Sequence, residues 1–120
     1  MRTRVVFVLM IAAGLICLGM AMVTHARAAE CGIASWYGAE SGHRTANGER
    51  FPTGEATAAH RSLPFNTRIR VVDQRTGRAV VVRINDRGPY IRGRIIDLSP
   101  AARRALGMDG LARVCLTAAR

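Results

Sequence analysis

The chain has 120 residues, and its 18 basic residues, all arginine, stand against 8 acidic ones for a formal net charge of +10. This length accommodates one domain, and such a basic excess favours an acidic partner or a polyanionic surface. No recognised nucleic-acid motif or nucleotide-binding loop occurs, and Cys31, Cys115, His43 and His60 lack zinc-like spacing, so cell-wall or envelope anions are the expected partners rather than nucleic acid.

Arg2 and Arg4 precede an apolar run from Val5 to Val23, which leads into Ala26-Arg27-Ala28, a small-residue cleavage pattern. Residues 1–28 are therefore expected to be an export signal; the alternative is that the run, roughly 19 residues long, stays as an uncleaved membrane anchor. Neither Cys17 nor Cys31 is preceded by the residues a lipoprotein signal requires. Loss of Arg2, Arg4 and Arg27 with the leader leaves 15 arginines against 8 acids. It also leaves Cys31 and Cys115 as an even pair in an oxidising compartment, where they are expected to form a disulfide. Closing a loop of roughly 85 residues contributes on the order of 4 kcal/mol by chain entropy, which matters in a domain whose core is small.

Residues 29–120 form the expected single domain. "IASWY" (33–37) is strand-like and ends at Gly38. "RIRVV" (68–72) alternates polar and apolar residues, "DQRTG" supplies a turn, and "RAVVVRI" (78–84) returns as its hairpin partner. Three successive valines predict burial of that second strand on both faces. "NDRGPYIRG" (85–93) has loop composition and "RIIDL" (94–98) is the next strand. Ser99 caps a short helix with Pro100 at its first position and Gly107 as its stop, and 112–117 is the last strand. The expected fold is mainly β, a small six-stranded barrel with one or two short helices.

The strings "ASWYG", "TANGE", "TAAH", "LPFNTRIRVV", "VVVRINDRGPY", "RIIDLSPAA" and "LGM" occur in this order. Together they closely resemble the RlpA-like (rare lipoprotein A) family of double-psi β-barrel domains, over residues 32–116. The resemblance implies a polysaccharide groove and lytic transglycosylase activity on peptidoglycan glycan strands, with preference for strands stripped of stem peptides. It implies that Glu49 of "TANGE", His60 of "TAAH" and Asp86 of "NDRGP" are the catalytic residues. Thr45, Asn85 and Arg87 of the same strings join Tyr37 and Tyr90 as substrate-binding candidates. The chain is expected to differ from longer family members in having neither their lipobox nor their C-terminal SPOR domain, and Pro52 stands where many members have an acid.

Such chemistry needs fewer carboxylates than ordinary glycoside hydrolysis, which uses two. In a lytic transglycosylase the C6 hydroxyl of N-acetylmuramic acid attacks its own C1, so one carboxyl acts as acid and then as base, and the intramolecular nucleophile supplies proximity. Asp86 is the expected acid, with Glu49 across the groove as a like charge and His60 binding substrate or positioning a carboxyl. Simpler readings stand beside these: Asp86 as an Asx-turn residue, Glu49 and Glu55 as solvated loop acids, and His60 as the end of a short helical turn. Asp97 is read as structural, Trp36 as core, and Tyr37 and Tyr90 as aromatic faces for sugar rings. The expectation is an exported, periplasmic or secreted monomer acting on peptidoglycan glycan strands, with no cofactor, metal or nucleic acid, and touching membrane only through the leader. The alternative function is a non-catalytic, expansin-like wall-binding module.

Overall fold

The computed structural model describes residues 29–38, 42, 44–51 and 54–119; the leader expected at 1–28 lies outside these residues, as do His43 and Pro52. In chain order the elements are β1 (Glu30–Trp36), β2 (Thr57–Ala59), β3 (Arg68–Asp73), β4 (Ala79–Asp86), β5 (Arg94–Leu98), α1 (Pro100–Leu106) and β6 (Ala112–Ala118). The six strands close into one barrel in the order β1-β5-β2-β4-β3-β6. The pairs β1/β5 and β2/β4 are parallel and the rest antiparallel. Closure pairs each of these six strands on both sides.

Local chemistry explains the best-defined elements. The β3/β4 hairpin turns where Asp73 Oδ1 accepts the N–H groups of Arg75 (2.8 Å) and Thr76 (3.1 Å) and Gly77 takes a φ of 74°. Val71, Val82, Ile84, Ile96, Leu98 and Val114 alternate into a core from which water is excluded. The valine run divides: Val80 and Val82 face that core, while half-buried Val81 lies on the other face, so burial of β4 is one-sided there. Ser99 accepts the Ala102 N–H and Pro100 opens α1, which stops at Gly107 in the left-handed conformation. The Ser99 hydroxyl also accepts the Thr57 N–H (3.0 Å) and donates to the Glu55 carbonyl (3.2 Å), tying the helix start to β2. Cys31 and Cys115, directly opposite each other on β1 and β6, form the expected disulfide.

Two boundaries differ from expectation. Thr57–Ala59 is a strand, buried throughout, so His60 follows a strand and not a helical turn. Its three residues are too few to show alternation, and only neighbours on both sides make it a strand. β4 runs on through Asn85 and Asp86, which the loop composition of "NDRGP" had assigned to a connection.

Candidate active site

A register irregularity in β4 aims Asp86. Ala58 of β2 pairs with Ile84, whereas the next residue, Ala59, pairs with Asp86, so Asn85 is an extra residue between them. Without this bulge, strand alternation would send Asp86 to the side of Ile84, into the core. With it, Asp86 shares the outer face with Ala59. On the other side of β2, Ala59 pairs with Asp97 of β5, and Asp97 pairs with Ser35 of β1. Residues directly opposite in a ladder share a face, so one outer surface carries Ser35, Asp97, Ala59 and Asp86.

Two aromatic rings cover Ala59. Tyr37 leaves β1 with its N–H on the Leu98 carbonyl (3.0 Å), and its ring packs on Phe51 at a centroid distance of 4.8 Å. Tyr37 is only 6% exposed, so its face is not open to a sugar ring. Its hydroxyl is buried and makes no hydrogen bond of acceptable geometry, although the Thr57 side chain approaches it. Burial, and after it the negative charge of Asp86, push the phenol pKa up, with Asp97 adding to the effect.

The "TANGE" string forms a tight hairpin closed by Thr45 N–H to Glu49 carbonyl (2.9 Å) and Gly48 N–H to Thr45 carbonyl (2.9 Å). The Thr45 hydroxyl turns inward to Asn47 and the Glu49 backbone. The hairpin docks on the end of β4: Ala46 N–H donates to Asp86 Oδ1 (2.9 Å) and Asn47 N–H to the Asn85 carbonyl (3.3 Å). Asp86 Oδ1 also accepts the Arg87 N–H at 2.9 Å. The turn-stabilising role and the outward aim of Asp86 thus coexist.

Glu49 is a committed anion. Arg83 grips it through Nη1 to Oε2 and Nη2 to Oε1, both 2.7 Å, and Asn47 Nδ2 donates to Oε2 at 2.6 Å. The Arg83 guanidinium foremost, then Asn47, hold its carboxyl down at about 2. Arg83 also binds Glu55 at 2.7 Å and Asn66 at 2.9 Å, and its own pKa is raised first by Glu49 and then by Glu55. Glu55 is therefore part of an ion-pair cluster, not the solvated loop acid expected. The negative charge that Glu49 was expected to turn on Asp86 is largely answered by Arg83. Asn85, fully buried, adds a 3.4 Å contact to Glu49.

His60 is buried among backbone groups. Its Nδ1 accepts the N–H groups of Ser62 (3.1 Å) and Leu63 (3.0 Å), which leaves the ring proton on Nε2, 3.1 Å from a Glu30 oxygen. Its own N–H donates to the Asp86 carbonyl (3.2 Å). Arg87 stacks on Phe65 at 3.9 Å and donates to the Leu63 carbonyl (2.9 Å), bracing the same loop. Tyr90, 76% exposed, is the open aromatic. Trp36, expected in the core, is 39% exposed and lies under Arg103, 4.5 Å from the ring centroid. Glu49, His60 and Asp86 do converge through the hairpin and the loop after β2. Arg83, Asn47 and Asp97 complete the surroundings; for Arg83 the sequence offered only its nearness to Asp86, and for Asp97 its place in a strand.

A closed barrel of six strands with parallel β1/β5 and β2/β4 pairs is a double-psi β-barrel, here carrying acidic side chains on one outer face. The model of the lytic transglycolase family matches residues 29–116, and the chain belongs to that family. It is 59% identical over 88 residues to a probable endolytic peptidoglycan transglycosylase RlpA from Synechocystis sp., covering 71% of this chain and 27% of the relative. The RlpA relative from Nostoc sp. is 63% identical over 82 residues, covering 66% and 22% respectively. The chain thus spans about a quarter of the length of these relatives. A crystal structure of apo expansin from Clavibacter michiganensis aligns with a TM-score of 0.60 at 22% identity, over 78% of this chain and 51% of that one, a likeness of fold.

Proposed function

We propose that the protein is an exported peptidoglycan lytic transglycosylase that cleaves glycan strands, preferably lacking stem peptides, to 1,6-anhydro-muramyl ends. Asp86 is its acid and base. The observation that carries this is the β4 bulge, which turns a carboxyl out of the barrel wall and fixes one of its oxygens with two backbone N–H groups. No hydrogen bond to Oδ2 forms among the described residues, which supports giving that oxygen the proton transfer in this reading. The names of the RlpA relatives support the substrate class.

In the proposed reaction Asp86 gives its proton to the glycosidic oxygen as the bond from that oxygen to C1 breaks. The C6 hydroxyl then bonds to C1 and returns its proton to Asp86, so no water is consumed. Glu49 and His60 serve by position. Glu49, held by Arg83, sets the hairpin whose Ala46 N–H seats Asp86, while His60 fixes the chain beside the Asp86 carbonyl. Tyr90 offers a ring to a sugar face. The protein works outside the cytoplasm, in the periplasm or after secretion, as a monomer. Incubating purified protein with denuded glycan strands and weighing the products by mass spectrometry tests this: anhydro-muramyl ends are expected. Strands that are bound yet released uncut would replace the enzyme with a wall-binding module.

A further inference from the structure

The Tyr37 hydroxyl, with Asn85 Oδ1 and Arg103 Nε, is one of three buried side-chain polar atoms that lack a hydrogen-bond partner among the described residues. It makes no hydrogen bond of acceptable geometry although the Thr57 side chain approaches it, and its ring packs against Phe51 and Ala59. A phenylalanine would fill the same space and remove the desolvation cost of the unpaired hydroxyl. Stability therefore gives no reason for the oxygen. Its surroundings do. Ala59, against which the ring packs, is flanked by Asp86 on β4 and Asp97 on β5. Asp97 already accepts the Ser35 hydroxyl (3.1 Å), whereas both hydrogen bonds to Asp86 fall on Oδ1.

We propose that Tyr37 is a positioning residue whose buried hydroxyl is reserved for Asp86, donating a hydrogen bond to the carboxylate that appears when Asp86 transfers its proton. The inference rests on the transglycosylase reading and deepens it. A donor that is idle in the resting site and engaged once negative charge develops stabilises the transition state without strengthening substrate binding, and so raises kcat while leaving KM alone. The phenol suits the task because burial and the neighbouring carboxylates oppose its ionisation, so the proton stays in place. This role differs from sugar stacking, for which Tyr37 is too deeply covered.

Tyr37→Phe in the full chain tests it, since the substitution keeps the ring and deletes only the oxygen. The expected result is a fall in kcat for anhydro-end formation on the order of 10²-fold, the scale seen for loss of one preorganised donor. KM should stay within about twofold and Tm should be unchanged or raised. A kcat within about twofold of wild type overturns the inference. So does a loss of kcat accompanied by a lowered Tm, which would mark the hydroxyl as structural. If the unmutated chain forms no anhydro ends, the transglycosylase reading fails and takes this inference with it; a working wild type beside an equally active Tyr37→Phe sinks this inference alone.

Discussion

The barrel presents two acidic regions within one outer surface, and they are built on opposite terms. Around Arg83 the polar groups are saturated: Glu49, Glu55, Asn66 and Asn47 share donors and acceptors in short bonds, and the Glu49 carboxyl is held ionised. Around Asp86 the arrangement is incomplete: one carboxylate oxygen is fixed by backbone, and the buried Tyr37 phenol, close enough to feel its charge, makes no hydrogen bond of acceptable geometry among the described residues. A saturated cluster lowers the energy of one arrangement and has nothing left to give a substrate. An unsatisfied buried donor costs stability and persists where another step uses it. Under the proposed function, the residues around Arg83 build the site and those around Asp86 act in it.

The largest effect should follow from breaking the incomplete region. Asp86→Asn retains an oxygen for the Ala46 and Arg87 N–H groups, so folding should be intact, while anhydro-end formation should fall by roughly 10²- to 10⁴-fold. Product mass analysis and a thermal melt together check this. Breaking the saturated region should instead register as stability. Arg83→Met leaves Glu49 and Glu55 without their shared cation and should cost about 1.5–3 kcal/mol in denaturant unfolding, with activity falling only as the hairpin loosens.

His60→Ala distinguishes building from acting at the third motif position. It strands the Ser62 and Leu63 N–H groups and should cost about 1–2 kcal/mol. A variant that melted like wild type yet lost all turnover would return His60 to the chemistry. The smallest effect is electrostatic. Because the Glu49 carboxyl is depressed from its ordinary 4.5 to about 2, its ion pair contributes stability that is fully present above about pH 4.5 and lost as pH falls through about 2. The melting difference between wild type and Glu49→Gln should shrink across that window, and high salt should reduce it at all pH, since the pair is partly exposed.

Local and compositional features were decided by the sequence. The β3/β4 hairpin follows from alternation around "DQRTG", and α1 from Ser99, Pro100 and Gly107, because turns and caps depend on residues a few positions apart. The pairing of Cys31 with Cys115 was legible because residues 29–120 hold no other cysteine, and the barrel through the ordered strings of its family. What depends on pairing between distant strands was not legible. Thr57–Ala59 is a strand because β4 and β5 lie on either side of it. Arg83 reaches Glu49 and Glu55 because the hairpin and the β2 approach fold over β4. Trp36 and Tyr37 exchanged their expected places, exposed for buried, because the end of β1 sets which adjacent ring meets Ala59. Above all, the aim of Asp86 was not legible: "NDRGPYIRG" reads as a loop, and plain alternation from Ile84 along a continued β4 would have turned Asp86 into the core. Only the register of β2 against β4 inserts the extra residue that turns the carboxyl outward, since a bulge is a mismatch between two strands and neither strand alone contains it.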